Sequence, residues 1–194
     1  MTKLKPAEGR YLVKLARESI NTFVKTLGPP PIPTNYPQVL DEERGVFCTL
    51  HTFPTKQLRG CIGLPYPIKS LLHATIEAAC SSTQDPRFPP IGQKELGAIT
   101  VEVSVLTVPE LISVDKPQDY LDKISLGKDG LILQYKGQSG LLLPQVPKEQ
   151  DWDLKQYLEG ICNKAGLYPD MWVDPQIKLF KFQTQIFSEK KPKK

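Results

Sequence analysis

The chain predicts an α+β protein, a mainly antiparallel sheet with flanking helices, and three observations carry that expectation. Apolar residues recur at helical spacing near the start of the chain and alternate at strand spacing around position 100. The two kinds of pattern then mix without the strict alternation that a doubly wound sheet requires. At 194 residues there is length for one large domain or two small ones around a real core.

From about Ala7 to Leu27, the residues Leu12, Leu15, Ala16, Ile20, Phe23, Val24 and Leu27 form one apolar stripe on a long helix. Gly28 and Pro29 stop it, glycine taking the left-handed cap and proline ending the ladder. Gly45 to Phe53 alternates Val46, Cys48 and Leu50 against Phe47, Thr49 and His51, and Pro54-Thr55-Lys56 turns the chain into a second strand, so this pair reads as a hairpin. Ile68 to Ser82 reads as a helix with Pro67 in its first turn, and the proline-rich stretch Ser81 to Pro90 as a loop. Gly97 to Val108 is the clearest strand, with Ile99, Val101, Val103 and Val105 on one face and Thr100, Glu102, Ser104 and Leu106 on the other. A short helix follows at Pro117 to Lys123, then a hairpin whose loop is Lys136 to Gly140. Asp151 is the expected cap of a helix reaching Lys164, and Ile177 to Phe187 reads as one final strand.

Charge and composition exclude several function classes. Lys190, Lys191, Lys193 and Lys194 account for the whole net charge of +4, leaving a neutral body that lacks the basic footprint of a nucleic-acid groove. Residues 188–194 are expected to be a solvated basic tail. No apolar run reaches the roughly 18 residues of a membrane span. The first 15 residues are too charged for a signal sequence, which predicts a cytoplasmic protein. Cys48, Cys61, Cys80 and Cys162 have no CxxC spacing, no metal site is expected, and neither a phosphate-cradling loop nor a nucleophile elbow occurs, so no cofactor is expected either. Trp152 and Trp172 read as core anchors.

The chemistry centres on Leu58-Arg59-Gly60-Cys61-Ile62-Gly63. Glycine on either side of a cysteine removes Cβ sterics and lets a ligand or another backbone approach, while a nearby arginine favours the thiolate. A nucleophilic Cys61 needs a proton acceptor, and the candidates are His73, His51 and Glu102. Arg59, Gly60, Gly63, Asp85, Arg87 and Ser104 are the expected ligand-binding set, because guanidinium forks suit carboxylate or phosphate and an aspartate can orient one of them. The bland alternatives are a tight strand end with a small buried cysteine, and a structural ion pair in the loop.

The hexapeptide resembles the hallmark of the AMMECR-one family. So do Asp85-Pro86-Arg87-Phe88-Pro89-Pro90, Val101 to Leu106, Gly130-Leu131-Ile132-Leu133, Leu143-Pro144-Gln145-Val146 and Lys164-Ala165-Gly166-Leu167, which follow in the family's order across residues 8–187. The resemblance implies a single AMMECR-type domain over residues 1–194, built from two interlocking subdomains with the hallmark in a cleft. It implies no particular reaction, and it suggests a pathway shared with Memo-like and radical-SAM proteins. Two functions fit these residues. One is a cysteine-centred enzyme or pathway component acting on an anionic small molecule or a modified protein. The other is a non-catalytic binding module that recognises a protein or small ligand.

Overall fold

The computed structural model describes residues 3–192; Lys193 and Lys194 of the expected tail lie outside the described residues. In chain order the elements are α1 (Pro6–Thr26), β1 (Val46–Thr52), β2 (Leu58–Leu64), α2 (Leu71–Ser82), β3 (Ile99–Leu106), β4 (Glu110–Leu111), α3 (Tyr120–Lys123), β5 (Gly130–Tyr135), β6 (Gln138–Leu142), α4 (Val146–Glu149), α5 (Leu154–Lys164), β7 (Lys178–Phe182) and β8 (Thr184–Ser188). They form two sheets, β2-β1-β3-β8 and β4-β7-β5-β6, whose paired registers are antiparallel, so the fold is α+β. The chain divides into two compact units, Met1–Leu106 with Gln185–Lys194, and Thr107–Thr184.

In the first unit the strand period sorts side chains onto two faces. Val46, Cys48 and Leu50 of β1 join Val101, Val103 and Val105 of β3 in a core with Leu12, Leu15 and Ile20 of α1 and Leu72, Ile76 and Ala79 of α2. Ser70 caps α2 by accepting from the His73 amide, so the helix starts three residues later than the apolar pattern suggests. Leu27, at φ 58°, takes the left-handed cap of α1 in place of Gly28. On β8, Phe187 packs its ring against Gly9 of α1, where any Cβ would collide with it.

The expected solvated tail begins later than residue 188. Glu189 is buried and receives two hydrogen bonds from the buried Arg17, Nε to Oε1 at 3.1 Å and NH2 to Oε2 at 2.5 Å. The rest of that guanidinium donates to the carbonyls of Leu96 and Ile99 at 3.0 and 2.8 Å, and the Val101 amide donates to Glu189 Oε2 at 3.0 Å. A buried ion pair is tolerable when its remaining donors and acceptors are satisfied in this way.

The second unit packs Tyr157, Leu158 and Ile161 of α5 on Leu131 and Leu133 of β5 and Leu179 of β7, with Trp172 buried among them and Trp152 packed on the margin of that core. Asp153, accepting from the Gln156 amide at 2.8 Å, caps α5 in place of Asp151, which adopts φ 54°. The β5–β6 turn is tighter than the five-residue loop anticipated. Only Lys136 and Gly137 lie between the strands, both at positive φ, the geometry of a two-residue hairpin. The final strand is two strands in different sheets. Between them Gln183 accepts from the Thr107 amide and donates its own amide to Thr107 Oγ1, both at 2.9 Å.

Candidate functional site

Every residue of the expected site lies in the first unit. β2 is the edge strand of its sheet, and register pairs Cys61 with Thr49 of β1, which in turn pairs with Glu102 of β3. Directly opposed residues share a face, so thiol, hydroxyl and carboxylate form one row across three strands. The next row holds Gly63, Phe47 and Ser104. This face is the reverse of the one that packs on α1 and α2.

The row is joined at one end. Thr49 Oγ1 and Cys61 Sγ lie 3.2 Å apart, with Thr49 buried and Cys61 half-buried. Burial pushes the Cys61 thiol up from its ordinary pKa; the Thr49 hydrogen bond and Arg87 pull the other way, while Asp85 and Glu102 add to the rise. The other three thiols are buried more deeply, and burial raises Cys48 to about 12 and Cys80 and Cys162 to about 11.

The open edge of β2 is closed by the loop after α2. The Cys61 amide donates to Asp85 Oδ2 at 2.8 Å, and Arg87 NH2 donates to the Cys61 carbonyl at 3.3 Å. Asp85 and Arg87 also pair with each other, Nε to Oδ1 at 3.0 Å and NH2 to Oδ2 at 2.6 Å. Together they satisfy the outward backbone groups of an edge residue as a fifth strand would. Asp85 is only 2 % exposed, and the guanidinium beside it lowers its carboxyl to about 2. Arg59 forks onto Glu95, Nε to Oε2 at 2.9 Å and NH2 to Oε1 at 3.1 Å. Both guanidinium groups lie over the Phe88 ring, 5.9 Å from its centre for Arg59 and 5.7 Å for Arg87.

The two glycines make room for this chain's own atoms. A Cβ at Gly60 would run into the Ser82 carbonyl, and one at Gly63 into the Val46 carbonyl and the Phe47 ring. The spaces expected to admit a ligand are therefore filled by packing.

His73 does not join Cys61. It is exposed on α2, with Nδ1 2.8 Å from Ser70 Oγ, while α2 packs on the sheet face away from the thiol. Of the two histidines, His51 shares the Thr49 face of β1, yet no hydrogen bond joins either of them to Cys61. Sequence reasoning missed Thr49, although pairing the hairpin residue by residue would have found it opposite Cys61. It also missed Glu95, for which no sequence signal distinguishes one surface glutamate from another. Among the described residues no three or more His, Cys, Asp or Glu side chains gather as metal ligands. No helix among them is long and apolar enough to cross a membrane.

Comparison with known proteins agrees with this architecture. Residues 13–187 match the AMMECR1 family. Protein MJ0810 of Methanocaldococcus jannaschii is 51 % identical over 187 residues, covering 96 % of this chain and 92 % of the relative. Protein MK0488 of Methanopyrus kandleri is 48 % identical over 195 residues, covering 98 % and 92 %. The crystal structure of an uncharacterised protein, PH0010 from Pyrococcus horikoshii, superposes with a TM-score of 0.93 at 47 % identity and covers 98 % of this chain and 96 % of its own. With the match spanning both sheets and the whole Cys61 row, the chain belongs to the AMMECR1 family.

Proposed function

We propose that this protein is a binding module, in which the strand around Cys61 and the Asp85–Arg87 loop form a rigid recognition surface rather than a nucleophile's active site. The observation that carries this reading is how Asp85 is used. Its carboxylate is committed to the Cys61 amide and to Arg87, so the motif's charges stiffen an edge instead of activating a thiol. Arg87 remains 55 % exposed, and the hydrogen bonds it makes to Asp85 and Cys61 come from Nε and NH2. NH1 is left to meet an anionic group of a small ligand or protein. The Memo-like and radical-SAM proteins implied by the family resemblance are the partners to try first.

The test is native mass spectrometry of the purified chain and of its Cys61→Ser and Arg87→Ala variants. A retained non-covalent ligand that survives Cys61→Ser and disappears in Arg87→Ala supports recognition. An adduct that stays on Cys61 after denaturation overturns it in favour of the enzyme. That second reading draws on the Cys61–Thr49–Glu102 row, in which Glu102 stands one residue beyond the hydroxyl that touches the thiol.

A further inference from the structure

The second unit carries a cavity that neither the hallmark strand nor its loop touches. It encloses about 310 Å³ and is lined by the segment 112–117 and by Tyr120, Asp174, Pro175 and Ile177. That volume is at the lower end of small-molecule sites. Its floor is apolar, made by Ile112, Ile177 and the Tyr120 ring, each at least nine-tenths buried.

Two polar groups on its wall have no partner among the described residues. The Tyr120 hydroxyl makes no hydrogen bond to any described residue, although the side chain is only 6 % exposed. Its oxygen is not among the fully buried polar atoms, so it opens onto the cavity as a free donor and acceptor. The Asp115 carboxylate is likewise unpaired, on the exposed rim. The other charges are already matched. Lys116 Nζ stands 3.9 Å from Asp119, and Asp174 accepts from the Tyr135 hydroxyl at 3.2 Å and the Gln176 amide at 2.8 Å. Lys136 lies over the Tyr135 ring and within the field of Asp174. The Lys123 ammonium is likewise held, on the Ser113 carbonyl, so of the two carboxylates that line the cavity Asp115 is the one with no partner among the described residues.

We propose that this cavity binds a small organic cation, a primary amine with a flat apolar body, whose ammonium pairs with Asp115 and whose donor hydrogen-bonds the Tyr120 hydroxyl. The apolar body lies on Ile112 and Ile177. The site is independent of the recognition surface around Cys61, so success or failure at one says nothing about the other.

Three indole probes that differ in one charge test it: tryptamine, indole-3-acetate and the neutral indole-3-ethanol. Each is titrated into the full chain while the backbone amides of Ile112–Lys116 and Gln176–Ile177 are followed by NMR. Tryptamine is expected to shift these amides saturably and to bind about threefold or more tighter than either counterpart, the preference one partly exposed ion pair gives. Asp115→Asn, a rim change that leaves the core intact, is expected to remove that preference. Tyr120→Phe is expected to weaken tryptamine by about two- to tenfold, the range for one lost hydrogen bond. Equal or tighter binding of indole-3-acetate, an unchanged preference in Asp115→Asn, or no saturable shift with tryptamine would each overturn the proposal.

Discussion

Asp85 couples the hallmark strand to solution pH. Its folded pKa of about 2 lies below the ordinary value of about 3.9, so the stability it contributes is complete above pH 4 or so and is lost as pH falls through 2. With the carboxylate almost fully buried, the contribution is on the order of 2 kcal/mol. Asp85→Asn should lower the urea midpoint at pH 7, and the gap from the parent chain should narrow steadily between pH 4 and 2. A gap independent of pH would contradict the assignment. Cys61 makes a second prediction at this scale. Burial raises its pKa, so its alkylation rate by iodoacetamide should rise with pH toward a midpoint above about 8.5, the free-cysteine value. Its labelling ahead of the deeper cysteines would reflect its greater exposure and their more strongly raised thiols, not activation of Cys61. Gly63→Ala sets a new methyl against the Val46 carbonyl and the Phe47 ring and should cost about 1–3 kcal/mol by chemical denaturation.

At the scale of elements, helices and strands with strong periodicity were legible and their ends were not. The stripe from Leu12 to Ile20 and the alternation from Ile99 to Val105 each describe a real element, because one face of each is buried against the first unit's core. Boundaries were set by groups a hydrophobic pattern does not contain. Examples are Ser70 and Asp153 accepting from backbone amides, Leu27 in a left-handed cap and Thr107 holding Gln183 at the break between β7 and β8. The site was legible as a set of residue types but not as a circuit, since Asp85 and Arg87 find the Cys61 backbone only once the loop folds against the edge of β2. The Arg17–Glu189 pair had no sequence signature, its partners standing 172 positions apart. Glu189→Gln leaves the Arg17 charge buried with a neutral partner and should destabilise by about 3–5 kcal/mol, whereas Arg17→Met with Glu189→Leu removes the stranded charge but takes hydrogen bonds from the Leu96 and Ile99 carbonyls and the Val101 amide, and should recover only part of that loss. Urea denaturation of both variants decides it.

Across the whole molecule, the division into two units has a spectroscopic consequence. Both tryptophans, Trp152 and Trp172, belong to the second unit, so tryptophan fluorescence, excited selectively over tyrosine, originates in it alone. A chain ending at Thr184 loses most of β8 and Glu189 from the first unit and nothing from the second. Its emission maximum should stay where the intact protein has it, while far-ultraviolet ellipticity falls as α1 and α2 loosen. A red-shifted emission would show that the second unit needs the first.

The interrupted first unit also bears on how the polypeptide matures. Its sheet needs β8, which the ribosome delivers only after every residue of Thr107–Thr184 has emerged. The nascent segment Met1–Leu106 must therefore wait with one side of β3 unpaired, exposed to chaperones, while the later segment is free to close by itself. Synthesis halted even a few codons before Glu189 would leave Arg17 without its counter-charge, marking the truncated product for cellular quality control.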